Sequence, residues 1–359
     1  SVHPEVIKEM ADDFTIVYTP LHGTGNVFVR RVLKELGFKK VYTVPEQEKP
    51  DGTFPTVSYP NPESPKAFEL ALKLAEEKDA DLVLATDPDA DRLGVYCKDT
   101  ENGGYISFTG NMSGVLIGEY LLREKKAIGT LPKNAAVVET IVTTDMLKAV
   151  AADYKVSLIE VLTGFKYIGE QIKLFKENNS HEFIFGMEES YGCLAGTYAR
   201  DKDAPVAVML LCEVACWYKK HGKTLKDAMN DLYRKYGYFR ETLFTITKKG
   251  EDGAMAIKSM METMRNEPVA DIGEYKVFAL RDYKSGIRKD MASGQESRLS
   301  LPESNVLYYE LSDGAWCCVR PSGTEPKIKF YMGVKGESVS DADKKLEELK
   351  SAMTKLAEN

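Results

Sequence analysis

The chain has 359 residues, 43% of them hydrophobic and 29% charged, a composition that is typical of a globular protein and excludes a disordered one. One hydrophobic core rarely serves this length, so two or three domains of about 100 to 150 residues are expected. Acidic residues outnumber basic ones by 55 to 48, and the net charge of -7 argues against nucleic-acid binding, which requires a basic surface.

The cysteines and the apolar runs indicate the compartment. Six cysteines lie in apolar runs without the spacing of a zinc site: Cys97, Cys193, Cys212, Cys216, Cys317 and Cys318. We interpret them as reduced core residues of a cytoplasmic protein. No run of about 18 uninterrupted apolar residues occurs, and the N-terminus lacks the pattern of a signal peptide. The chain is therefore predicted to be neither secreted nor membrane-spanning.

The first third of the chain alternates between strand and helix patterns. The predicted elements are strands at residues 14–19, 41–44 and 81–86 and a helix at residues 27–36. A proline-rich loop of about 20 residues follows the second strand, and loops of that length inside a domain are usually functional. Ser64 is predicted to cap a further helix, with Pro65 in its first turn.

A second unit of the same plan follows. Its predicted elements are helices at residues 112–122, 144–152 and 167–176 and strands at residues 135–142, 156–161 and 183–185. Helices at residues 205–218 and 225–236 close this unit. Such alternation predicts parallel or mixed sheets with helices on both faces.

The pattern changes after residue 238. Strands are predicted at residues 241–247, 306–309 and 315–320, and helices at residues 254–267 and 341–357. The sequence therefore predicts an α/β fold class, with two similar α/β domains with mixed sheets plus a C-terminal α+β domain. We place these domains at residues 1–106, 107–237 and 238–359.

Three carboxylates follow the predicted strand at residues 81–86, in a segment that we call the aspartate loop (residues 87–92, DPDADR). In an extended backbone, the spacing of Asp87, Asp89 and Asp91 sends all three to one side, where they can bind a hard divalent cation. An EF-hand is excluded because Arg92 and Lys98 occupy positions that require Gly and Glu. The alternative is a polar surface turn, but clustered carboxylates repel one another without a cation. Three oxygens would leave positions on Mg²⁺ for a phosphate oxygen.

The arginine loop (residues 320–327, RPSGTEPK) lies between two strand-like runs. Arg320 can bind a phosphate bidentately, and Ser322 and Thr324 offer hydroxyl groups. Gly323 permits the backbone N–H groups to turn inward. The alternative is a simple hairpin turn. Each charge-assisted hydrogen bond contributes roughly 1.5 to 3 kcal/mol, so we predict phosphate binding.

The Glu-Ser loop (residues 186–192, GMEESYG) follows a predicted strand. Glu188 and Ser190 would lie on the same side of an extended backbone, where carboxylate and hydroxyl suit vicinal sugar hydroxyls. This pattern alone leaves a sugar site and an ordinary loop equally open. Lys202, a short distance downstream, is either a solvated charge or, if partly desolvated, a group able to transfer protons.

A glycine-rich turn at residues 21–26 (LHGTGN) superficially resembles a dinucleotide-binding fingerprint but lacks the third glycine. We interpret it as a tight strand-to-helix turn. His22 is expected to form local hydrogen bonds rather than to act as a catalyst.

Taken in order, the three loops resemble those of the α-D-phosphohexomutase superfamily of phosphoglucomutases and phosphomannomutases. DPDADR looks like the family's metal loop, MEESYG like its sugar-binding loop and RPSGTEP like its phosphate-binding loop, and the match runs over most of the chain. The resemblance implies Mg²⁺ ligation by Asp87, Asp89 and Asp91. The other implied roles are catalysis by Arg92 and by the acid/base lysine Lys202, sugar binding by Glu188 and Ser190, phosphate binding by Arg320, Ser322, Gly323 and Thr324, and ligand contact by Lys166 of the TGFKY segment.

One element of the family pattern does not occur in the chain. The family's first domain carries a Thr-Ala-Ser-His-Asn-Pro type segment whose serine holds the transferable phosphoryl group. The nearest match, Ser180-His181, is followed by Glu182, and the chain begins at Ser1 rather than Met. We therefore expect the last three domains of a longer enzyme, with the N-terminal phosphoserine domain as the missing partner and negligible turnover in the chain alone.

The resemblance implies a phosphoglucomutase that interconverts glucose 1-phosphate and glucose 6-phosphate through a phosphoserine enzyme and a bisphosphate intermediate. The MEESYG loop is closer to phosphoglucomutases than to phosphomannomutases, while mannose and pentose phosphates remain open as substrates. Two other classes are alternatives: a non-catalytic protein that binds sugar phosphates, and a phosphatase with an aspartate nucleophile in the aspartate loop.

Overall fold

The computed structural model describes residues 1–248, 250–323 and 326–358. The chain forms two compact units, Ser1–Leu232 and Tyr233–Asn359. Among the helices of the described residues, none is long and apolar enough to cross a membrane. All six cysteines are buried and none forms a disulfide bond, as predicted.

The first sheet of the first unit is mixed. Its strands are β1 (Thr15–Thr19), β2 (Lys40–Thr43), β3 (Leu82–Thr86), β4 (Leu93–Lys98) and β5 (Tyr105–Phe108), and the helices of this region are α1 (Pro4–Met10), α2 (Gly25–Leu36) and α3 (Glu69–Lys78). The strand order is β2-β1-β3-β4-β5, with β2 and β3 parallel to β1, β4 antiparallel to β3, and β5 antiparallel to β4. Strands β1 and β3 are buried at every residue, which explains their continuous apolar sequences.

The second sheet of the first unit repeats this plan. Its strands are β6 (Ala135–Thr140), β7 (Ser157–Val161), β8 (Glu182–Glu188) and β9 (Gly192–Ala195), and its helices are α4 (Gly110–Ala127), α5 (Asp145–Tyr154), α6 (Phe165–Asn178), α7 (Ala204–Lys220) and α8 (Leu225–Tyr236). The order is β7-β6-β8-β9, with β7 and β8 parallel to β6 and β9 antiparallel to β8. In each sheet, a strand of the parallel part is connected by a short loop to an antiparallel neighbour. Strand β3 is connected to β4 in this way, and β8 to β9.

The second unit is an antiparallel sheet packed against helices. Its strands are β10 (Tyr238–Thr247), β11 (Asp271–Ile272), β12 (Tyr275–Asp282), β13 (Ile287–Asp290), β14 (Glu296–Arg298), β15 (Leu307–Leu311), β16 (Trp316–Pro321) and β17 (Lys327–Gly336), and its helices are α9 (Gly250–Asn266) and α10 (Val339–Glu358). The order is β10-β17-β16-β15-β12-β13-β14, and β11 pairs with β12. One apolar core contains Met261 of α9, Leu349 of α10 and Phe330 of β17. The predicted fold class, two mixed α/β sheets and an α+β unit, is confirmed.

Ser64 departs from its predicted role. It precedes a 3₁₀ turn at Pro65–Phe68, and its side chain makes no capping hydrogen bond. The tighter turn is closed by the backbone instead, because the N–H of Ala67 donates to the Ser64 carbonyl over 3.0 Å. The prediction of a side-chain cap was therefore wrong, although a helix does follow.

Candidate functional site

The aspartate loop connects β3 to β4 and is a tight turn rather than an extended segment. Ala90 has a φ of 60°, and its N–H donates to the Asp87 carbonyl over 3.0 Å. One carboxylate oxygen from each of Asp87, Asp89 and Asp91 nevertheless lies within 4.8 Å of the others. The carboxylates converge, as expected from the sequence, but a turn rather than an extended backbone brings them together.

Burial and mutual repulsion perturb the carboxylates of this cluster. Burial raises the pKa of Asp87 to about 7, the N–H of Arg92 opposes the rise, and the Asp91 and Asp89 carboxylates add to it. Asp87 Oδ1 accepts hydrogen bonds from the N–H groups of Asp91 and Arg92, over 3.0 and 2.9 Å. Asp91 Oδ1 is buried and has no hydrogen-bond partner among the described residues. Three converging carboxylates, one with an unsatisfied buried oxygen, fit a hard divalent cation such as Mg²⁺.

Arg92 lies beside the cluster. Its Nε is 3.6 Å from Asp87 Oδ2 and 3.7 Å from Asp91 Oδ1, and its Nη1 donates to Glu63 Oε1 over 2.9 Å. Burial lowers the pKa of Arg92, but Glu63 and Asp87 outweigh burial and the net shift is upward. Glu63 belongs to the proline-rich loop and orients the guanidinium. Sequence reasoning identified that loop as functional but did not identify this residue.

The Glu-Ser loop connects β8 to β9 and is also a turn, since Tyr191 has a φ of 67°. Glu188 is buried, and the Ser190 hydroxyl donates to Glu188 Oε1 over 2.7 Å. Thr140 at the end of β6 donates to Glu189 Oε2 over 3.2 Å. The loop therefore places the predicted carboxylate and hydroxyl side by side.

Lys202 joins the two loops. Its Nζ lies 3.0 Å from Asp91 Oδ2 and 3.4 Å from Glu188 Oε1, and its side chain is 13% exposed. Gly192 leaves room for it, because a Cβ built on Gly192 would overlap Lys202 Cδ and lie 3.2 Å from Lys202 Cβ. Burial lowers the pKa of Lys202, but Glu188 and Asp91 outweigh burial and raise it above its ordinary value. The ammonium therefore stays protonated at neutral pH, and it holds its proton more tightly than an ordinary lysine does.

Backbone hydrogen bonds also join the loops. The N–H of Leu93 donates to the Tyr191 carbonyl over 3.0 Å, and the N–H of Ala204 donates to the Ala90 carbonyl over 3.1 Å. The aspartate loop is thus attached both to the Glu-Ser loop and to the first residue of α7. These contacts join residues about 100 positions apart, so no local sequence pattern could have revealed them.

Lys166 is exposed on the first turn of α6. Its Nζ lies 4.8 Å from the ring centre of its neighbour Tyr167. Among the described residues it forms no ion pair with Asp91 or Glu188. The structure therefore leaves it outside the cluster that Lys202 joins.

The arginine loop lies in the second unit, where it connects β16 to β17. The N–H of Ser322 donates to the Lys327 carbonyl over 2.7 Å and closes the hairpin. Arg320 is half-buried and Gly323 is exposed, while Thr324 lies outside the described residues. Ser322 and Gly323 line a groove of about 660 Å³ together with residues of α9. The loop is a hairpin end with an adjoining space large enough for a small ligand.

Comparisons with known proteins agree with this arrangement. The family described as "Phosphoglucomutase/phosphomannomutase, alpha/beta/alpha domain II" matches residues 2–103, and "alpha/beta/alpha domain III" of the same family matches residues 109–236. These matches together cover more than half of the chain. The chain belongs to the phosphoglucomutase/phosphomannomutase family, as the resemblance of its three loops predicted.

Individual relatives share this family. A phosphoglucomutase of Staphylococcus epidermidis is 39% identical over 323 residues, which are 90% of this chain and 58% of that protein. The open form of the phosphoglucomutase pp63/parafusin from Paramecium superposes with a TM-score of 0.65 at 16% identity, covering 99% of this chain and 60% of that chain. Aspergillus fumigatus N-acetylphosphoglucosamine mutase, solved with GlcNAc-6P and magnesium, gives a TM-score of 0.55 at 12% identity, covering 99% and 64%. The chain thus spans less than two thirds of the length of these relatives.

Proposed function

We propose that the chain supplies the cation-, sugar- and phosphate-binding loops of a phosphoglucomutase that interconverts glucose 1-phosphate and glucose 6-phosphate. The observation that carries the proposal is Lys202, which contacts Asp91 and Glu188 at once and so joins the aspartate and Glu-Ser loops in one site. Phosphoryl transfer depends mainly on positioning and on neutralising negative charge. A cation site beside a carboxylate, a hydroxyl and a partly buried ammonium provides both.

In this proposal Asp87, Asp89 and Asp91 hold Mg²⁺. The bound cation would neutralise charge on the phosphoryl group in transfer. Arg92 adds a fixed positive charge on the same side, since its Nε is less than 4 Å from two of the three carboxylates.

Glu188 and Ser190 bind the sugar hydroxyls in this proposal. Their hydrogen bond to each other positions both groups before the ligand arrives. Lys202 contacts both loops and is proposed as the acid/base residue of the site.

For the second unit we propose binding of a phosphate that is not transferred. Arg320 provides the charge, and Ser322, Gly323 and Thr324 provide hydroxyl and backbone donors. Lys166 in the first unit is proposed as a further ligand contact. The proposed domains are residues 1–106, 107–237 and 238–359, and the family segments at residues 2–103 and 109–236 support the first two.

We propose that the phosphoryl-carrying serine and the bisphosphate intermediate belong to a protein with a further phosphoserine domain. No Ser-His-Asn-Pro segment occurs among the 359 residues, so the chain by itself should bind ligands without turnover. Glucose is the proposed sugar because the MEESYG loop resembles that of phosphoglucomutases and because the Staphylococcus relatives carry that name.

The test is an assay of the complete natural protein with Mg²⁺ on glucose 1-phosphate, mannose 1-phosphate and ribose 1-phosphate. We expect the highest kcat/KM on glucose 1-phosphate and a loss of roughly 100-fold in Asp89→Ala, because a cation ligand is removed. Glu77→Ala on the exposed side of α3 is the charge-matched control and should keep full activity. Full activity in Asp89→Ala would overturn the proposal.

A further inference from the structure

The glycine-rich turn after β1 contacts the aspartate loop at its centre. The backbone N–H and the Oγ1 of Thr24 both donate to the Pro88 carbonyl, over 2.8 and 3.0 Å. Pro88 lies between Asp87 and Asp89. A single residue of the turn therefore fixes one peptide group in the middle of the carboxylate cluster.

The two glycines of this turn lie where a side chain has no room. A Cβ built on Gly23 would overlap Pro88 Cα and lie 2.6 Å from the Pro88 carbonyl oxygen, both of which are backbone atoms that cannot rotate away. A Cβ built on Gly25 would lie 2.6 Å from Thr86 Oγ1 and 3.2 Å from Ala90 Cβ. Neither glycine has a positive φ. Close packing, of Gly23 on the aspartate loop and of Gly25 mainly on Thr86 and Tyr18, explains their presence better than conformational freedom does.

Hydrogen bonds to the chain at Gln47 and Thr56 fix the glycine-rich turn itself. His22, with a φ of 61°, places its Nε2 2.8 Å from Thr56 Oγ1 and its N–H 3.0 Å from the Gln47 carbonyl. Gln47 is buried and accepts a hydrogen bond from Thr19 Oγ1 over 2.7 Å. A backbone held in this conformation persists only when its surroundings over-determine it. His22 thus forms local hydrogen bonds, as predicted, and they make the turn a rigid support.

We propose that residues 21–25 position the aspartate loop for cation binding, with Thr24 and Gly23 as positioning residues that do not touch the cation. This inference rests on the proposed role of Asp87, Asp89 and Asp91. Three neighbouring carboxylates repel one another and tend to separate. A support that holds them together before the cation arrives raises affinity, because less ordering remains to be done on binding.

The first test compares two glycine substitutions by Mn²⁺ titration of the 359-residue chain, with free Mn²⁺ followed by electron paramagnetic resonance. Mn²⁺ takes the same oxygen ligands as Mg²⁺. Gly23→Ala should raise the Kd for Mn²⁺ at least about tenfold, the scale of a lost supporting contact to a metal ligand. Gly52→Ala is the matched control and should leave the Kd unchanged, because a Cβ there meets no atom within 4 Å.

The second test removes one hydrogen bond and decides the matter if Gly23→Ala does not fold. Thr24→Val should raise the Kd for Mn²⁺ roughly fivefold, the change for one neutral hydrogen bond, and Thr24→Ser should restore it. The melting temperature should change little because Thr24 is exposed, so a purely structural role would not produce this pattern. A wild-type chain that binds Mn²⁺ no better than Thr24→Val would overturn the positioning role but not the proposed cation site. A wild-type chain that binds no Mn²⁺ would overturn the proposed cation site as well.

Discussion

The aspartate loop and the Glu-Ser loop occupy equivalent positions in their sheets, but their carboxylates have different hydrogen-bond partners. Each follows a parallel strand and turns into an antiparallel one. In the Glu-Ser loop, Glu188 already accepts a hydrogen bond from Ser190 and lies beside Lys202. In the aspartate loop, three carboxylates converge and a buried oxygen of Asp91 lacks a hydrogen-bond partner among the described residues. Glu188 is thus satisfied within the protein, whereas the aspartate cluster, although Arg92 and Lys202 lie beside it, keeps a buried oxygen that a bound cation could satisfy.

Glu188→Ala is expected to show the largest difference between sugar phosphate binding at one loop and cation binding at the other. Loss of a charged acceptor should raise the Kd of the chain for glucose 1-phosphate by roughly 10- to 100-fold, as measured by calorimetry. The Kd for Mn²⁺ should change far less, because the three aspartates remain. Glu182→Ala, at the exposed start of the same strand, is the control. Equal losses of sugar phosphate and Mn²⁺ affinity would show that the loops do not have separate roles.

A smaller effect of opposite sign is expected from Lys202→Met. The ammonium lies 3.0 Å from Asp91 Oδ2 and competes with any cation for that carboxylate. Its removal should lower the Kd for Mn²⁺ by about fivefold, since a nearby like charge is lost. Lys202→Arg keeps the charge and should bind Mn²⁺ as the wild type does. Weaker Mn²⁺ binding in Lys202→Met would contradict the competition between the ammonium and the cation.

The smallest effect concerns Glu310, a carboxylate of the second unit that is paired with two arginines. Arg281 Nε and Arg288 Nη2 lie 2.6 and 2.7 Å from the Glu310 carboxylate. Burial raises the pKa of Glu310, but the two arginines outweigh burial and lower it below its ordinary value. The ionised form is therefore favoured by folding, and its stabilising contribution is present above the unfolded pKa and is lost as pH falls through the folded one.

This pH dependence is measurable as the difference in melting temperature between wild type and Glu310→Gln. The difference should be constant near neutral pH and should shrink as pH falls below about 4, the ordinary range of a glutamate. Glu296→Gln, on an exposed residue of β14, should show no such trend. A difference that grows toward acid would mean that the arginines do not stabilise the carboxylate.

Much of the fold and the composition of the site could be predicted from the sequence. The alternation of apolar runs predicted both α/β sheets, and the spacing of Asp87, Asp89 and Asp91 predicted a carboxylate cluster. The backbone path was not predictable, because the convergence depends on the left-handed φ of Ala90. The sequence indicated a tight, glycine-containing turn after β1. It did not reveal that Gly23 packs on Pro88, which is 65 positions away.

The partners of the charged residues were less predictable than the residues themselves. Lys202 was identified as a possible proton-transfer group, yet its two carboxylate partners belong to different loops. Glu63 was missed because its contact with Arg92 depends on how the proline-rich loop folds back. Short strands such as β9 and β11 escaped detection because two to four residues carry too little periodicity.

A Mn²⁺ titration of the wild-type chain and Asp89→Asn tests whether the aspartate loop is a divalent cation site. Asp89 is exposed, so the substitution should leave folding intact while removing one ligand and one negative charge. We predict one high-affinity Mn²⁺ per wild-type chain and a Kd raised roughly 100-fold in Asp89→Asn. Unchanged Mn²⁺ affinity in Asp89→Asn would show that the aspartate loop does not bind the cation.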